Sequence, residues 1–248
     1  MEFLRAFTFI FKDQRWLIKL LETALFVVLC PLPVIGLICL CALLGYLAEI
    51  VHNVSRDYPR PLPEWNHIGG DIGKGVPVFL AIALYHLPMV VVVGLLYIAR
   101  ETLAVSLFGS LTFAGVFAAI MPLLLIYLAF AWALLATGLV NYAESWDAGA
   151  FYQFNKLLRS LGNHSVLTIQ WLLSSLAASI ILLLLPPLAP LLFIPAQGYL
   201  TGVYGRRLRA ERMQMRDAYT MPGQPADRSQ KGYAGPQGAA ALRRGDTA

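Results

Sequence analysis

"CPLPVIGLICLCALLGYL", residues 30–47, decides how this chain folds. It sits inside an apolar stretch running from about Trp16 to Val51. At 1.5 Å per residue that stretch is too long for one straight crossing of a bilayer. Pro31 and Pro33 would break a helix in any case, because each lacks an amide proton and crowds the preceding turn. Two short spans joined by a tight proline turn are expected here.

The rest of the chain repeats this kind of apolar territory. One block runs from Val76 to Ala99, is followed by Arg100 and Glu101, and leads through a less regular stretch to a long span ending near Val140. Another starts at Val166, meets "PPLAP" at 186–190 and resumes to about Tyr204. The whole chain is 58% hydrophobic and 13% charged, whereas a soluble domain carries about 25% charge. This is a polytopic membrane protein of the all-α class, expected to be a bundle of about six spans over residues 16–207. The first apolar run is too long for a signal peptide and has no small-x-small cleavage site behind it.

Charge placement gives the orientation. Cytoplasmic segments collect Lys and Arg. With both termini inside and six crossings, only Arg100 of the 19 basic residues falls outside. The expected location is a cell membrane, multi-pass, with both termini cytoplasmic.

The first and third blocks share a design. Each runs from a proline cluster through an apolar helix to Gly-Tyr-Leu, at 45–47 and 198–200, which reads as a parallel internal repeat. Each is preceded by an amphipathic stretch. In "DAGAFYQFNKLLRSLGN" a helix over 148–161 would put Phe151, Phe154, Leu158 and Leu161 on one face, with Lys156 and Arg159 turned toward anionic headgroups. Asp147 can cap its start and Gly162-Asn163 its end. Residues 1–15 form a rougher version. In "RDYPRPLPEWNHIGGDIGKG", 56–75, the apolar residues Trp65, Ile68, Ile72 and Val76 recur at helical spacing, so a third interfacial helix over 64–75 is expected, with Trp65 at headgroup depth.

Chemistry-bearing residues are few. A phosphate-binding loop around Lys74 fails, because Ile68 and Gly75 stand where the pattern needs Gly and Ser or Thr. His52, Glu64, His67 and Asp71 share a surface but match no metal-ligand spacing. Cys30, Cys39 and Cys41 lie in apolar runs and read as small hydrophobes. Glu22 is placed to meet Lys19 near the end of its span. His86, beside Pro88 in "LYHLPM", is the one ionisable residue near a midplane and therefore the candidate intramembrane polar site. Its bland alternative is a neutral imidazole bonded to a neighbouring helix. Gln170, Gln197, Ser174, Ser175 and Ser179 complete the polar content at depth. No catalytic set, cofactor or metal is expected, and the basic run "GRRLRAERMQMR" calls for anionic lipid rather than nucleic acid. Residues 208–248 read as a basic, then disordered, tail.

"FTFIFKDQRWLIKLL", "GYLAEIVHNVSRDYPRPLPEWNHIGGDIGKG", "LYHLP" and "NYAESWDAGAFYQFNKLLRSLGNH" together resemble a prokaryotic multi-span membrane family, domain of unknown function 4013, over roughly residues 3–207. Tyr85 and Pro88 match the family's pattern and His86 does not. The resemblance implies the architecture and carries no activity. The expected function is a non-enzymatic scaffold, accessory subunit or bilayer-organising protein, with the lipid bilayer and a membrane protein as partners; the alternative is a small-solute or lipid permease.

Overall fold

The computed structural model describes residues 4–103, 107–186 and 188–219. Every regular element among them is helical. Among them, the residues to Leu208 form one compact unit, and those from Arg209 to Tyr219 belong to a second.

The chain opens with a short helix α1 (Arg5–Thr8) and a 3-10 turn (Phe9–Lys12). Ala6, Phe9 and Ile10 are buried against the bundle, so one face of the expected interfacial segment is used inside the fold. Helix α2 (Trp16–Leu29) ends where Pro31 forbids continuation, and α3 (Pro33–Ser55) starts with Pro33 in its first turn, where the missing amide is harmless. The expected break is where the sequence puts it.

The third surface helix is not a separate element. Residues 64–67 are non-helical, and α4 begins at Ile68 and runs unbroken for 36 residues to Leu103. Helix α5 (Leu107–Ser145) returns alongside it. The stretch expected as one helix over 148–161 is two: a 3-10 turn (Ala148–Phe151) and α6 (Phe154–Asn163). Asp147 does accept the Gly149 amide at 2.9 Å, but it caps the 3-10 turn. Helix α7 (Ser165–Leu184) and helix α8 (Ala189–Tyr219) form the last hairpin, and α8 carries the basic run as expected. The expected disordered tail beyond Tyr219 lies outside the described residues.

Among the described residues, four helical segments are long and apolar enough to cross a membrane: Pro33–Ser55, Ile68–Glu101, Leu111–Ser145 and Ser165–Leu184. Six were expected. With 14 residues, α2 reaches only about 21 Å, short of a hydrocarbon core of about 30 Å. Helix α8 combines its apolar half with Gln197, Arg206 and further polar residues.

Helix α3 is the centre of the bundle. It meets α4 backbone to backbone: a Cβ on Gly45 would collide with the Asp71 carbonyl, and one on Gly75 with the Cys41 carbonyl. On its other side, Gly198 and Gly202 of α8 close on Leu47, Ile50, Val51 and Val54. Small residues one turn apart let helices approach this closely, and in lipid such packing replaces the hydrophobic drive.

The α3–α4 register has a large consequence. Gly45 faces Asp71 and Cys41 faces Gly75, so the two helices run antiparallel. From Cys41 back to Pro33 is eight residues, about 12 Å; from Gly75 on to Leu103 is 28 residues, about 42 Å. The α4–α5 hairpin therefore overshoots the Pro31–Pro33 turn by about 30 Å. Among the described residues, the last buried position on α4 is Tyr85 and the first on α5 is Leu124. In the second proline hairpin, Gly198 lies beside Leu47 and Ile50, and Gly202 beside Val51 and Val54, so α8 runs parallel to α3. Ala189 is then level with roughly residue 40 of α3, about 10 Å short of Pro33.

These contacts are testable on two glycines of the same helix. Gly75→Ala is expected to destabilise the protein by about 1–3 kcal/mol through overpacking against α3. Gly94→Ala, where an added Cβ meets nothing within 4 Å, should be neutral or stabilising by up to about 1 kcal/mol. Thermal unfolding in detergent distinguishes them; equal effects would sink the backbone contact.

Candidate functional site

The polar side chains at depth are joined to one another between helices. The Tyr204 hydroxyl of α8 meets Thr137 of α5 at 3.1 Å and Thr168 of α7 at 3.0 Å. Ser175 donates to Gln197 at 2.5 Å, and the Gln197 amide donates to Ser179 at 3.0 Å. Tyr85 donates to the Phe151 carbonyl at 2.9 Å and accepts Tyr127 on its own carbonyl at 2.6 Å. Each bond ties two elements that hydrocarbon could not otherwise hold by polar contact.

His86 takes a simpler place than expected. Half-buried, its Nδ1 bonds the Ile82 carbonyl of its own helix at 2.8 Å, not a neighbouring helix. Trp65 does not stand alone at a surface either: its ring is sandwiched between Phe26 (4.5 Å) and Tyr46 (4.4 Å), which closes the loop over the α2–α3 hairpin. The face expected over 151–161 is divided. Phe151 is fully buried in the 3-10 turn, Leu157 is the buried residue of α6, and Phe154 and Leu158 are exposed. Phe154 touches Tyr85 at 5.5 Å. Lys156 and Arg159 are exposed on α6.

Among the described residues, no three His, Cys, Asp or Glu gather as metal ligands. Of the four suspected, His52 bonds the Ala143 carbonyl at 2.5 Å and packs on Trp146, while Glu64 accepts from Asn66.

The charged groups cluster at one end of the bundle, which we call the basic end. Lys74 of α4 pairs with Glu49 of α3 and lies 5.1 Å from the Trp146 ring; Tyr142 donates to the Lys74 carbonyl at 2.8 Å. Lys19 does not pair with Glu22. It is buried, bonding Asp13 at 2.7 Å and the Leu62 carbonyl at 2.8 Å. Burial pushes the Asp13 carboxyl up, but the hydrogen bonds from Lys19 and the Arg15 amide, with the charges of Lys19 and Arg60, outweigh it and hold the group below its ordinary value.

Beside this pair opens a cleft of about 510 Å³. The N-terminal segment contributes Arg5, Thr8, Phe9 and Lys12. The end of α3 and the loop after it contribute Val54, Asp57, Tyr58 and two prolines, and α8 contributes Tyr199 and Arg206. Phe9 stacks on Tyr199 at 4.6 Å and forms its floor. Asp57 bonds Arg206 at 2.5 Å.

Asp57 has φ 58°. Its amide donates to Val54 and that of Tyr58 to Asn53, the bond pair that ends a helix on a left-handed residue, usually glycine. Here an aspartate occupies that position. Trp146 does the same at the end of α5, with φ 55°, a rare conformation for so bulky a residue. Its ring is held by His52 (5.4 Å) and Tyr142 (5.5 Å). None of these positions stood out in the sequence. The only available signal was the density of basic residues in segments that the fold brings together.

A family model described as a protein of unknown function, DUF4013, matches residues 28–194. The match spans more than half of the chain, and the chain belongs to this family. No curated protein and no solved structure matches it.

The buried pair yields a pH prediction. Asp13→Asn leaves Lys19 buried without its counter-charge and is expected to cost about 3–5 kcal/mol, most of it recovered in the double variant Asp13→Leu, Lys19→Met. A carboxylate depressed in the folded state stabilises fully above its unfolded value of about 4 and progressively less as pH falls below it. Unfolding curves in detergent at pH 7 and pH 3 should therefore show the wild type losing this contribution and the double variant having none to lose.

Proposed function

We propose that this is a non-enzymatic, bilayer-organising membrane protein. In this reading the α4–α5 hairpin crosses the membrane, and the α2–α3 and α7–α8 hairpins enter from the cytoplasmic side and return without crossing. The observation that carries it is the overshoot of about 30 Å past the Pro31–Pro33 turn.

If that turn marked the far surface of the bilayer, both outer arms of α4–α5 would stand in water. Leu87, Val90, Val91, Val93, Leu95 and Ile98 are all exposed there, and each such side chain costs about 1.5–3 kcal/mol outside an apolar medium. Placing the far surface near Arg100 puts them in lipid. The proline turns then stop inside the hydrocarbon, where Leu32, Val34 and Ile35 are exposed around the first of them. Backbone polar groups at such a turn are tolerable because the bonds of Cys30, Leu32 and Gly36 to Val27, Leu29 and Leu32 keep them internal.

Charge bias is equally well satisfied by this arrangement. A hairpin that returns to its own side leaves its flanking Lys and Arg where a double crossing would. Two hairpins inserted from one face enlarge that leaflet, which is the physical basis for a role in membrane shape or organisation. The permease reading is less favoured, since Thr137, Thr168, Ser175, Ser179, Gln197 and Tyr204 are engaged in holding helices together.

Single cysteines at Val34 and Glu101, in a background lacking Cys30, Cys39 and Cys41, test the arrangement in intact cells. Glu101→Cys is expected to react with an impermeant maleimide from outside and Val34→Cys to resist it. Equal labelling would mean that α2–α3 crosses fully. For function, reconstitution at rising protein-to-lipid ratio is expected to shrink vesicle diameter. Unchanged vesicles that conduct small solutes would transfer the assignment to the permease reading.

A further inference from the structure

We propose that the cleft between the N-terminal segment, the end of α3 and α8 is a binding site for a phosphate-bearing anion with an apolar portion.

Three cations line it, Arg5, Lys12 and Arg206, against one acid, Asp57. They come from parts of the chain some 200 residues apart, so their convergence is made by the fold. Basic residues brought together at one end of an apolar body lower the energy of an anion placed among them. A guanidinium offers five donors in a planar fork suited to phosphate oxygens.

Asp57 holds Arg206 through one terminal nitrogen at 2.5 Å, and the Arg206 side chain remains 40% exposed. The rest of its fork is available to a ligand. The Asp57 side chain is 81% exposed, so this ion pair contributes little to stability. Yet the residue sits at φ 58°, where glycine would be less strained. A carboxylate kept at that cost, for a pair of small energetic value, is accounted for by orienting Arg206.

The floor is apolar, with Phe9 stacked on Tyr199 and Val54 beside them. A volume of about 510 Å³ lies in the range of small-molecule sites, which run from about 300 to 1,000 Å³. Cationic walls over an apolar floor match a phosphate ester attached to a greasy group. An acidic phospholipid has this chemistry, and so does a soluble phosphate ester. The site does not depend on whether the proline hairpins cross the membrane.

The test uses the full chain in a neutral detergent, with native mass spectrometry and thermal shift as readouts. The probes are dioctanoyl phosphatidylglycerol, dioctanoyl phosphatidylcholine and inorganic phosphate. Phosphatidylglycerol is expected to bind saturably with one molecule per chain and to raise the unfolding temperature, and phosphatidylcholine is expected not to. Lys12→Gln, at an exposed position that the fold does not need, should weaken binding roughly fivefold. Adding Arg5→Gln and Arg206→Gln should abolish it. Arg100→Gln, exposed near the far end of α4 and outside the cleft lining, should leave it unchanged.

Competition by millimolar inorganic phosphate would support the site and assign it to soluble phosphate esters; absence of competition assigns it to the lipid. Equal binding of phosphatidylcholine, equal loss in Arg100→Gln and Lys12→Gln, or no saturable binding would each overturn the proposal.

Discussion

The fold depends on one close approach, the contact of the α3 and α4 backbones at Gly45 and Gly75. Between apolar helices in lipid there is little hydrophobic gain, so association rests on how many atoms can touch. Two glycines remove the side chains that would hold the helices apart. Once they meet, the register is fixed, and other features follow from it. Glu49 falls beside Lys74, the Lys74 carbonyl falls beside Tyr142, and the far arm of α4 runs on past its neighbours. Helix α8 uses the same device on the opposite side of α3 through Gly198 and Gly202.

With α3 fixed on both sides, the polar residues act as links. Tyr204 joins three helices through two threonines, Gln197 joins two through a pair of serines, and Tyr85 joins α4 to the 3-10 turn before α6. Among the described non-glycine residues, the two with left-handed backbones, Asp57 and Trp146, both lie at helix ends at the basic end of the bundle. Each is held by contacts to another element, an arginine in one case and aromatic rings in the other. Strain of this kind persists only where surrounding structure over-determines it. That end of the molecule is where polar chemistry is concentrated and where the cleft opens.

Much of the local structure was legible in the sequence. Pro31 and Pro33 mark the first hairpin because a missing amide and a crowded ring act within one turn. Asp147 caps its turn by an equally local rule, whereas the stop expected at Gly162-Asn163 lies inside α6, whose C-cap is His164. Other readings failed because nearness in sequence was a poor guide. Glu22 is one turn from Lys19, but the partners are Asp13 and a carbonyl 43 residues away. Trp65 has the spacing of an interfacial helix, yet aromatic rings from α2 and α3 enclose it. His86 is the reverse case, since its Nδ1 bonds the Ile82 carbonyl one turn back in its own helix.

By itself the sequence determined that the chain is a helical membrane protein, where most of its helices break, and which of its ends carry positive charge. Hydropathy, proline and charge act on each segment separately, so they can be read one segment at a time. Only the tertiary structure decided which charges pair, how far each hairpin reaches and where a cleft forms. Those outcomes follow from the register of helices that meet through glycines. A glycine records that a close approach is allowed, and only the folded chain shows what approaches it.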